Sequence, residues 1–309
     1  VHGDDFTILG HEQELNWFRD RIKKKYEIKV GGRLGPEPRD HKEVRVLNRV
    51  VAWKSDGIHY EADPRHAEII IRDLGLQNSN GVVTPCERED LGKTGSSLKA
   101  RDATMYRALV ARANFLAQDR SDISFAVKEL SRKMSDPQDV DWTCLKRLGR
   151  YLRDHPRAVV KYEYQNFTHE INGYTDTDWA GCRRTRRSTS GGVIFLGTHF
   201  IKGYSTTQKI IALSSAEAEL YGMIKGSAHA LGMKSLAADF GIEVKINVHT
   251  DASAAIGIVN RKGLGKLRHI ETNQLWIQDK VRDGTIKIFK CKGTENPADS
   301  LTKPVKMRT

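Results

Sequence analysis

The chain has 309 residues, 39% of them hydrophobic, with 51 Lys and Arg against 39 Asp and Glu and a formal net charge of +12. This balance is typical of a globular, soluble protein. No apolar run has the length of a membrane-spanning helix, so we expect no membrane partner. The positive charge favours a polyanionic partner such as nucleic acid, although basic residues can also serve solubility alone.

The four cysteines are isolated in the sequence, at Cys86, Cys144, Cys182 and Cys291. Without a Cys-x-x-Cys pair, neither a zinc site nor a disulfide framework is indicated, and a reducing intracellular compartment is the expected setting. The chain begins with Val1 and shows no signal peptide, from which we expect a fragment or a processed product.

In the first quarter of the chain, short strands alternate with one helix. "EQELNWFRDRIKKKY" places apolar residues on one helical face and lysines on the other. "VRVLNRVVAWKSDGIHY" predicts a hairpin that turns at residues 55–57, and "PRHAEIIIRDLGL" predicts a short helix that closes near Gly75. The turn-rich residues 77–97 are typical of a linker.

Apolar residues at helical spacing then predict three amphipathic helices, of which the second and third are separated by Pro137. From about Thr168 the pattern changes to strand, strand, strand, helix, strand, helix, helix, strand, helix. This order predicts an antiparallel meander followed by parallel strands with crossover connections, which together form a mixed sheet with helices against it.

Two acids lie where strands of this last segment end. Asp176 ends the first strand, and Asp251 ends the fourth, immediately before a helix. Because sites in open α/β sheets form beyond the carboxyl ends of strands, these acids converge if their strands are neighbours. Taken singly, each of these acids could instead have a structural role, since an Asp at a strand end often caps the following turn or helix.

The long helix offers two candidates for a third acid. Ser214 and Glu217 have the spacing of a capping box, which gives Glu217 a structural role. Glu219 has no such role. Gly222 and Gly226 lie on roughly the same helix face as Glu219. Because glycine has no side chain, this face can pack close to a strand, and the Glu219 carboxylate could then lie near the strand end.

Asp299, in "NPADSLTK", is a fourth acid on a short terminal helix. Clustered carboxylates repel one another, by about 1 kcal/mol for a pair 4 Å apart even at the dielectric constant of water. A divalent metal is the usual counter-charge, and ligands that are all oxygen favour Mg²⁺ or Mn²⁺ over Zn²⁺. Two such ions can activate a water and stabilise the leaving oxygen in phosphodiester cleavage.

A dense basic turn follows the first of these strands. It contains Arg183, Arg184, Arg186 and Arg187. Beside the acids, these side chains are well placed to contact phosphates that flank a cut, which would make binding salt-dependent without reading sequence. The alternative is a solvated turn with no partner.

Four stretches, "YTDTDWAG", "LSSAEAELYG", "VHTDASAAI" and "NPADSLTKP", resemble the ribonuclease H domain of copia-type retrotransposon Pol polyproteins, and the match runs in order through residues 169–306. The resemblance implies an α/β, ribonuclease H-like mixed five-stranded sheet flanked by helices. It also implies a catalytic quartet that binds two Mg²⁺ or Mn²⁺ ions, formed by Asp176, Glu219, Asp251 and Asp299.

The same resemblance covers residues near the quartet. It implies that Asp178 supports the metal ligands. His269 matches a Lys-His-Ile-Asp element of the family, with Arg268 and Glu271 as departures from it. Cellular ribonucleases H carry a His shortly before the last Asp. Here "CKGTENPAD" has none, so that assisting role has no candidate.

Upstream, "YRALVARANFLAQDRSDISFAVKELSRKMSDP" resembles the connection segment of these polyproteins, and "HGDDF" resembles the aspartate pair of reverse transcriptase. Asp4 and Asp5 would be two of three polymerase carboxylates. His2 and Gly3 replace the family's aromatic residue and Val, and the third carboxylate is absent. We therefore expect no polymerase activity from this chain alone.

The implied domains are a truncated α+β reverse-transcriptase palm end and thumb at 1–82, a linker and helical connection at 83–167, and the ribonuclease H domain at 168–309. The expected function is hydrolysis of the RNA strand of RNA–DNA hybrids, with the rest of the Pol polyprotein as a further partner, in cytoplasmic virus-like particles or the nucleus. Two alternatives stay open: a catalytically inactive nucleic-acid-binding fragment of a decayed retroelement, and a structural subunit that supports a polymerase. The presence of all four acids favours the nuclease.

Overall fold

The computed structural model describes residues 3, 5–88, 93–265 and 268–304. From residue 170 onward the helices and strands follow the predicted order, whereas the strand at Val159–Glu163 was not predicted. The helices are α1 (Glu12–Lys23), α2 (Arg65–Asp73), α3 (Ala100–Leu116), α4 (Ser124–Ser131), α5 (Asp139–Asp154), α6 (Ser215–Asp239), α7 (Ser253–Val259) and α8 (Trp276–Arg282). The strands are β1 (Glu43–Val46), β2 (Arg49–Lys54), β3 (Gly57–Glu61), β4 (Val159–Glu163), β5 (Glu170–Asp178), β6 (Thr189–Leu196), β7 (His199–Thr207), β8 (Lys245–Thr250) and β9 (Ile286–Lys290).

The first sheet is antiparallel, in the order β1-β2-β3-β4. Its β2–β3 turn lies between Lys54 and Gly57, where the sequence predicted it. A second tight turn joins β1 to β2 at Leu47 and Asn48, whose φ angles are 49° and 66°. Two-residue hairpins favour such positive φ angles, but Leu at the first position is not a residue that signals them. The predicted turn at residues 55–57 is therefore confirmed, and the turn between β1 and β2 was not predicted.

Strand β4 comes from the end of the helical segment, yet it pairs with β3. Helix α2 also shares one hydrophobic core with α3 and α5, in which Ile70, Tyr106 and Leu148 are fully buried. Amphipathic helices must bury their apolar faces against a neighbouring element, and here that element comes from the preceding segment. Residues 43–82 and 100–163 therefore pack as one body, while the domain limits themselves stay a prediction.

The second sheet has five strands in the order β7-β6-β5-β8-β9. β5–β6 and β6–β7 are antiparallel, whereas β5–β8 and β8–β9 are parallel. This mixed sheet, with α6 packed across it, confirms the predicted fold class. A core that includes Ile171, Ala230 and Ile246 lies between the sheet and the helix. The topology makes β5 and β8 neighbours, so their carboxyl ends lie side by side.

A short 3-10 helix, Pro297–Leu301, packs on β5 and β6, where Ala298 and Leu301 form a small core with Val193. The helical segment also reaches this sheet, because Lys128 of α4 donates a hydrogen bond from Nζ to Thr189 Oγ1 of β6 at 2.8 Å. None of the helices described by the structure is both long and apolar enough to cross a membrane.

Candidate active site

Three acidic side chains converge at the carboxyl ends of β5 and β8. Asp176 of β5, Asp251 directly after β8, and Glu219 of α6 each offer a carboxylate oxygen, and these oxygens all lie within 4.8 Å of one another. The strand-end acids meet because β5 and β8 are parallel neighbours, with Tyr174 opposite His249 just before the ends. We call this group the carboxylate cluster.

Two glycines allow helix α6 to pack close to β5, which brings Glu219 of this helix to the cluster. A Cβ atom on Gly222 would lie 2.5 Å from Thr177 Oγ1, and one on Gly226 would lie 2.3 Å from Thr175 Cγ2. Contacts this short would push the helix away from β5. The slim helix face that the sequence indicated is therefore what lets Glu219 approach the strand ends.

Burial and mutual repulsion raise the pKa values of Glu219 and Asp176 in the cluster. Burial raises the pKa of Glu219 to about 8, and the negative charges of Asp176 and Asp251 add to the effect. Burial also raises the pKa of Asp176, although a hydrogen bond donated by Thr302 Oγ1 opposes the shift. The cluster therefore holds a proton at neutral pH when no cation neutralises it.

The donor set fits a hard divalent cation. Glu219 Oε2 is buried and accepts no hydrogen bond from any residue that the structure describes, which is costly for a carboxylate oxygen unless another ligand contacts it. The cluster contains no His or Cys, and oxygen ligands suit Mg²⁺ or Mn²⁺ better than Zn²⁺. These residues thus agree with the metal that the resemblance implied.

Asp299 is not brought into the carboxylate cluster. Its carboxylate lies 2.5 Å from Lys303 Nζ in an ion pair, and its side chain is 42% exposed. It still contributes to the raised pKa of Asp176, so it is within electrostatic range of the cluster. The fourth member of the quartet is therefore near the site but turned to another partner.

Asn296, which the sequence analysis did not single out, fixes the 3-10 helix against β5. Its Nδ2 donates to the backbone oxygen of Thr175 at 2.9 Å, and its Oδ1 accepts from the backbone N–H of Ala298 at 3.1 Å. Asn followed by Pro at the start of a helical turn is a signal that could have predicted this cap. Together with Thr302, it holds the chain beside Asp176.

Glu217 has the structural role that the capping-box spacing favoured. It is buried, its Oε1 accepts from the hydroxyl of Tyr221, and its Oε2 accepts from the backbone N–H of Leu213 and lies 2.9 Å from His269 Nε2. Ser214 Oγ accepts from the backbone N–H of Glu217 at 3.2 Å, which completes the cap. Of the two candidate glutamates, only Glu219 joins the carboxylate cluster.

No protein-family model matches the chain. Among curated proteins, the Pol polyprotein from transposon RE2 of Arabidopsis thaliana is 27% identical over 310 residues, which are 99% of this chain and 20% of that protein. The Pol polyprotein from transposon TNT 1-94 of Nicotiana tabacum is 31% identical over 316 residues, 99% of this chain and 23% of that protein. The chain belongs to the retrovirus-related Pol polyproteins of copia-type retrotransposons. This Pol segment spans about a fifth of the length of these relatives.

Two solved structures are similar to the Pol segment. A foamy viral protease-reverse transcriptase in complex with double-stranded DNA is 9% identical, with a TM-score of 0.47 over 82% of this chain and 38% of that one. Ribonuclease H1 from the archaeon Halobacterium salinarum is 18% identical, with a TM-score of 0.28 over 43% of this chain and 93% of that one.

The basic turn of the Pol segment lies between β5 and β6. Its four arginines are exposed, and none forms an ion pair with a residue that the structure describes. Arg132, the residue directly after α4, contacts the turn, since its Nη2 lies 2.8 Å from the Sγ atom of Cys182. Asp178 lies at the end of β5, where the basic turn begins. Burial raises the pKa of Asp178, while Arg88, Lys303 and Lys128 lower it.

The aspartate pair near the start of the Pol segment is only partly described. Asp5 is exposed, and Asp4 lies outside the described residues. Its assignment to a polymerase site stays a prediction.

Proposed function

We propose that this Pol segment is a metal-dependent endonuclease that hydrolyses the RNA strand of RNA–DNA hybrids. The observation that carries the proposal is the carboxylate cluster, in which one carboxylate oxygen from each of three acids lies within 4.8 Å of the other two. Its member Glu219 also has a buried oxygen, Oε2, that accepts no hydrogen bond from the described residues. Membership in the retrotransposon Pol polyproteins supports a substrate formed during reverse transcription. The proposed partners are nucleic acid and the rest of the polyprotein, in the cytoplasm or nucleus.

Bound Mg²⁺ or Mn²⁺ ions would supply an activated water and stabilise the leaving oxygen of the phosphodiester. Asp176 and Asp251 hold the site from the ends of hydrogen-bonded strands, which are rigid supports for ligands. Glu219 would hold a cation from the facing helix, and its carboxyl group would have to be deprotonated to do so. Asp299 is the proposed fourth ligand, and its ion pair with Lys303 would have to open for it to join.

The test uses the purified chain and an RNA–DNA hybrid labelled on the RNA strand. We expect RNA cleavage with Mg²⁺ or Mn²⁺ and none in EDTA, leaving 5′-phosphate and 3′-hydroxyl ends as the family does. Single-stranded RNA and duplex DNA of the same sequence are the controls. Equal cleavage in EDTA, or none with either metal, contradicts the proposal.

The four exposed arginines of the basic turn are proposed to contact phosphates of the bound hybrid. Replacing Arg183, Arg184, Arg186 and Arg187 by Gln should weaken binding and flatten its salt dependence, because each lost phosphate contact removes about 0.9 from the log–log slope on duplex DNA. The measurement is fluorescence anisotropy in EDTA at increasing salt concentrations.

A matched variant removes four other exposed basic side chains, at Arg21, Arg45, Lys99 and Arg101. If both variants flatten the slope equally, only the net charge matters and the turn makes no specific contact with phosphate.

A further inference from the structure

Three lysines meet where the edge strand β7 faces α6. Lys202 lies in β7, Lys209 follows its end, and Lys225 lies in α6. We call them the lysine cluster. β7 and β5 both pair antiparallel with β6 and so run in the same direction. Lys209 therefore lies at the same end of the sheet as the carboxylate cluster.

Contacts with β7 hold the cluster in place. Lys225 Nζ donates to Thr206 Oγ1 at 2.8 Å and lies 5.4 Å from the ring centroid of Tyr204. Lys202 Nζ lies 3.5 Å from His229 Nδ1, and the ring of His229 packs on that of Tyr204 with centroids 4.7 Å apart. Tyr204 is itself buried, so the basic side chains rest on a fixed support.

The positive charge of the cluster is not paired with an acid among the described residues. None of the three lysines forms an ion pair with a residue in the described ranges. Burial lowers the pKa of Lys225, and Lys202 and Lys209 lower it further. Burial, Lys202 and Lys225 lower the pKa of His229 to about 4. Like charges gathered without a counter-charge repel one another, and a bound anion relieves that repulsion.

We propose that the lysine cluster binds backbone phosphates of the nucleic-acid duplex held at the carboxylate cluster, two to three base pairs from the cut. Lys225 follows Glu219 by six residues in α6, about 9 Å along the helix axis. Successive phosphates of one strand rise about 3.4 Å along a duplex, so 9 Å corresponds to about two to three base pairs.

The chemistry favours a polyanion over a single small anion. Lysine ammonium groups are point charges that attract phosphate without the planar, two-pronged fit of arginine. Lys202 and Lys209 are exposed, and both are close enough to Lys225 of α6 to lower its pKa. Several point charges gathered on an open surface match the repeating phosphates of a strand. The position relative to the cut rests on the proposed function, whereas binding itself does not.

The first experiment compares two double variants, Lys202→Gln/Lys225→Gln and the matched Lys234→Gln/Lys287→Gln. Lys234 lies further along α6 and Lys287 lies in β9, the opposite edge strand. Binding of an RNA–DNA hybrid is measured in EDTA at increasing salt, after melting curves show that both variants fold. Loss of two phosphate contacts should flatten the log–log salt slope by about 1.4 to 1.8 in the first variant. An equal change in both variants, or no change in the first, overturns the proposal.

The second experiment locates the contact with hybrids that carry one uncharged methylphosphonate linkage. Neutralising a linkage two or three base pairs from the cut should weaken binding by the parent, but not by Lys202→Gln/Lys225→Gln, because the two changes remove the same interaction. Equal weakening of both proteins at every linkage overturns the assigned position. If the parent binds through these lysines but never cleaves the hybrid with Mg²⁺, the proposed function fails and the binding site stands.

Discussion

Asp251→Asn and Glu219→Gln should each lower the rate of Mg²⁺-dependent hybrid cleavage by more than about a hundredfold. Loss of a group that merely supports a metal ligand typically costs about 10- to 100-fold in affinity or activity, and loss of the ligand itself should cost more. A neutral amide is a poor ligand and cannot offset the charge of the cation. The measurement is the initial rate of RNA-strand cleavage at saturating hybrid, with Mg²⁺ varied.

Glu217→Gln is the matched control. It makes the same chemical change two residues away, at a buried side chain that contacts Leu213, Tyr221 and His269 outside the carboxylate cluster. The amide keeps an oxygen that can accept from the backbone N–H of Leu213, so most of the activity should remain. If Glu219→Gln cleaved at the parental rate while Glu217→Gln did not, our choice between the two glutamates would be wrong.

The second large effect is on stability without metal. In EDTA, the free energy of unfolding of the parent should fall relative to that of Glu219→Gln as pH rises from about 4.5 to about 8. The pKa of Glu219 is about 8 in the folded protein against an ordinary value of 4.5. Across this interval the folded state keeps a proton that the unfolded state has lost, so each rise in pH favours unfolding.

The size of this effect is bounded by one proton, which corresponds to at most about 1.4 kcal/mol per pH unit. Below pH 4.5 both states are protonated and the contribution of Glu219 is fully present; it is lost as pH rises through 8. Urea unfolding of parent and Glu219→Gln at several pH values gives the difference, since groups outside the carboxylate cluster titrate alike in both. A difference that does not change with pH would mean that Glu219 is not held protonated by the cluster.

Addition of Mg²⁺ at pH 8 provides a further check on the same samples. A cation that binds only the folded state stabilises it by mass action, and it should stabilise the parent more than Glu219→Gln, which lacks one ligand. Equal stabilisation of both proteins would place the bound cation elsewhere.

Much of the second sheet could be predicted from the sequence because its signals are local. Period-two alternation marks β5 and β8, and the acids at their ends follow directly. The crossover rule then makes these strands parallel, which brings Asp176 and Asp251 together. The Ser214–Glu217 spacing and the glycines of α6 separated the two candidate glutamates before any contact was known, because capping and close packing depend on residues within a turn or two.

Other features depend on pairs of residues that are far apart in the chain, and only the tertiary structure decided them. Strand β4 joins the first sheet through pairing with β3, about a hundred residues earlier, which no local period encodes. Asp299 is a different case: its ion-pair partner Lys303 lies only four residues later, but the motif alone placed Asp299 with the other acids. The lysine cluster forms from β7 and α6, whose basic residues are unremarkable in sequence. The sequence by itself determined the strands of the second sheet and the acids at their ends. The pairing of β4 with β3 and the meeting of the three lysines arise from packing between distant segments, which local sequence patterns do not encode.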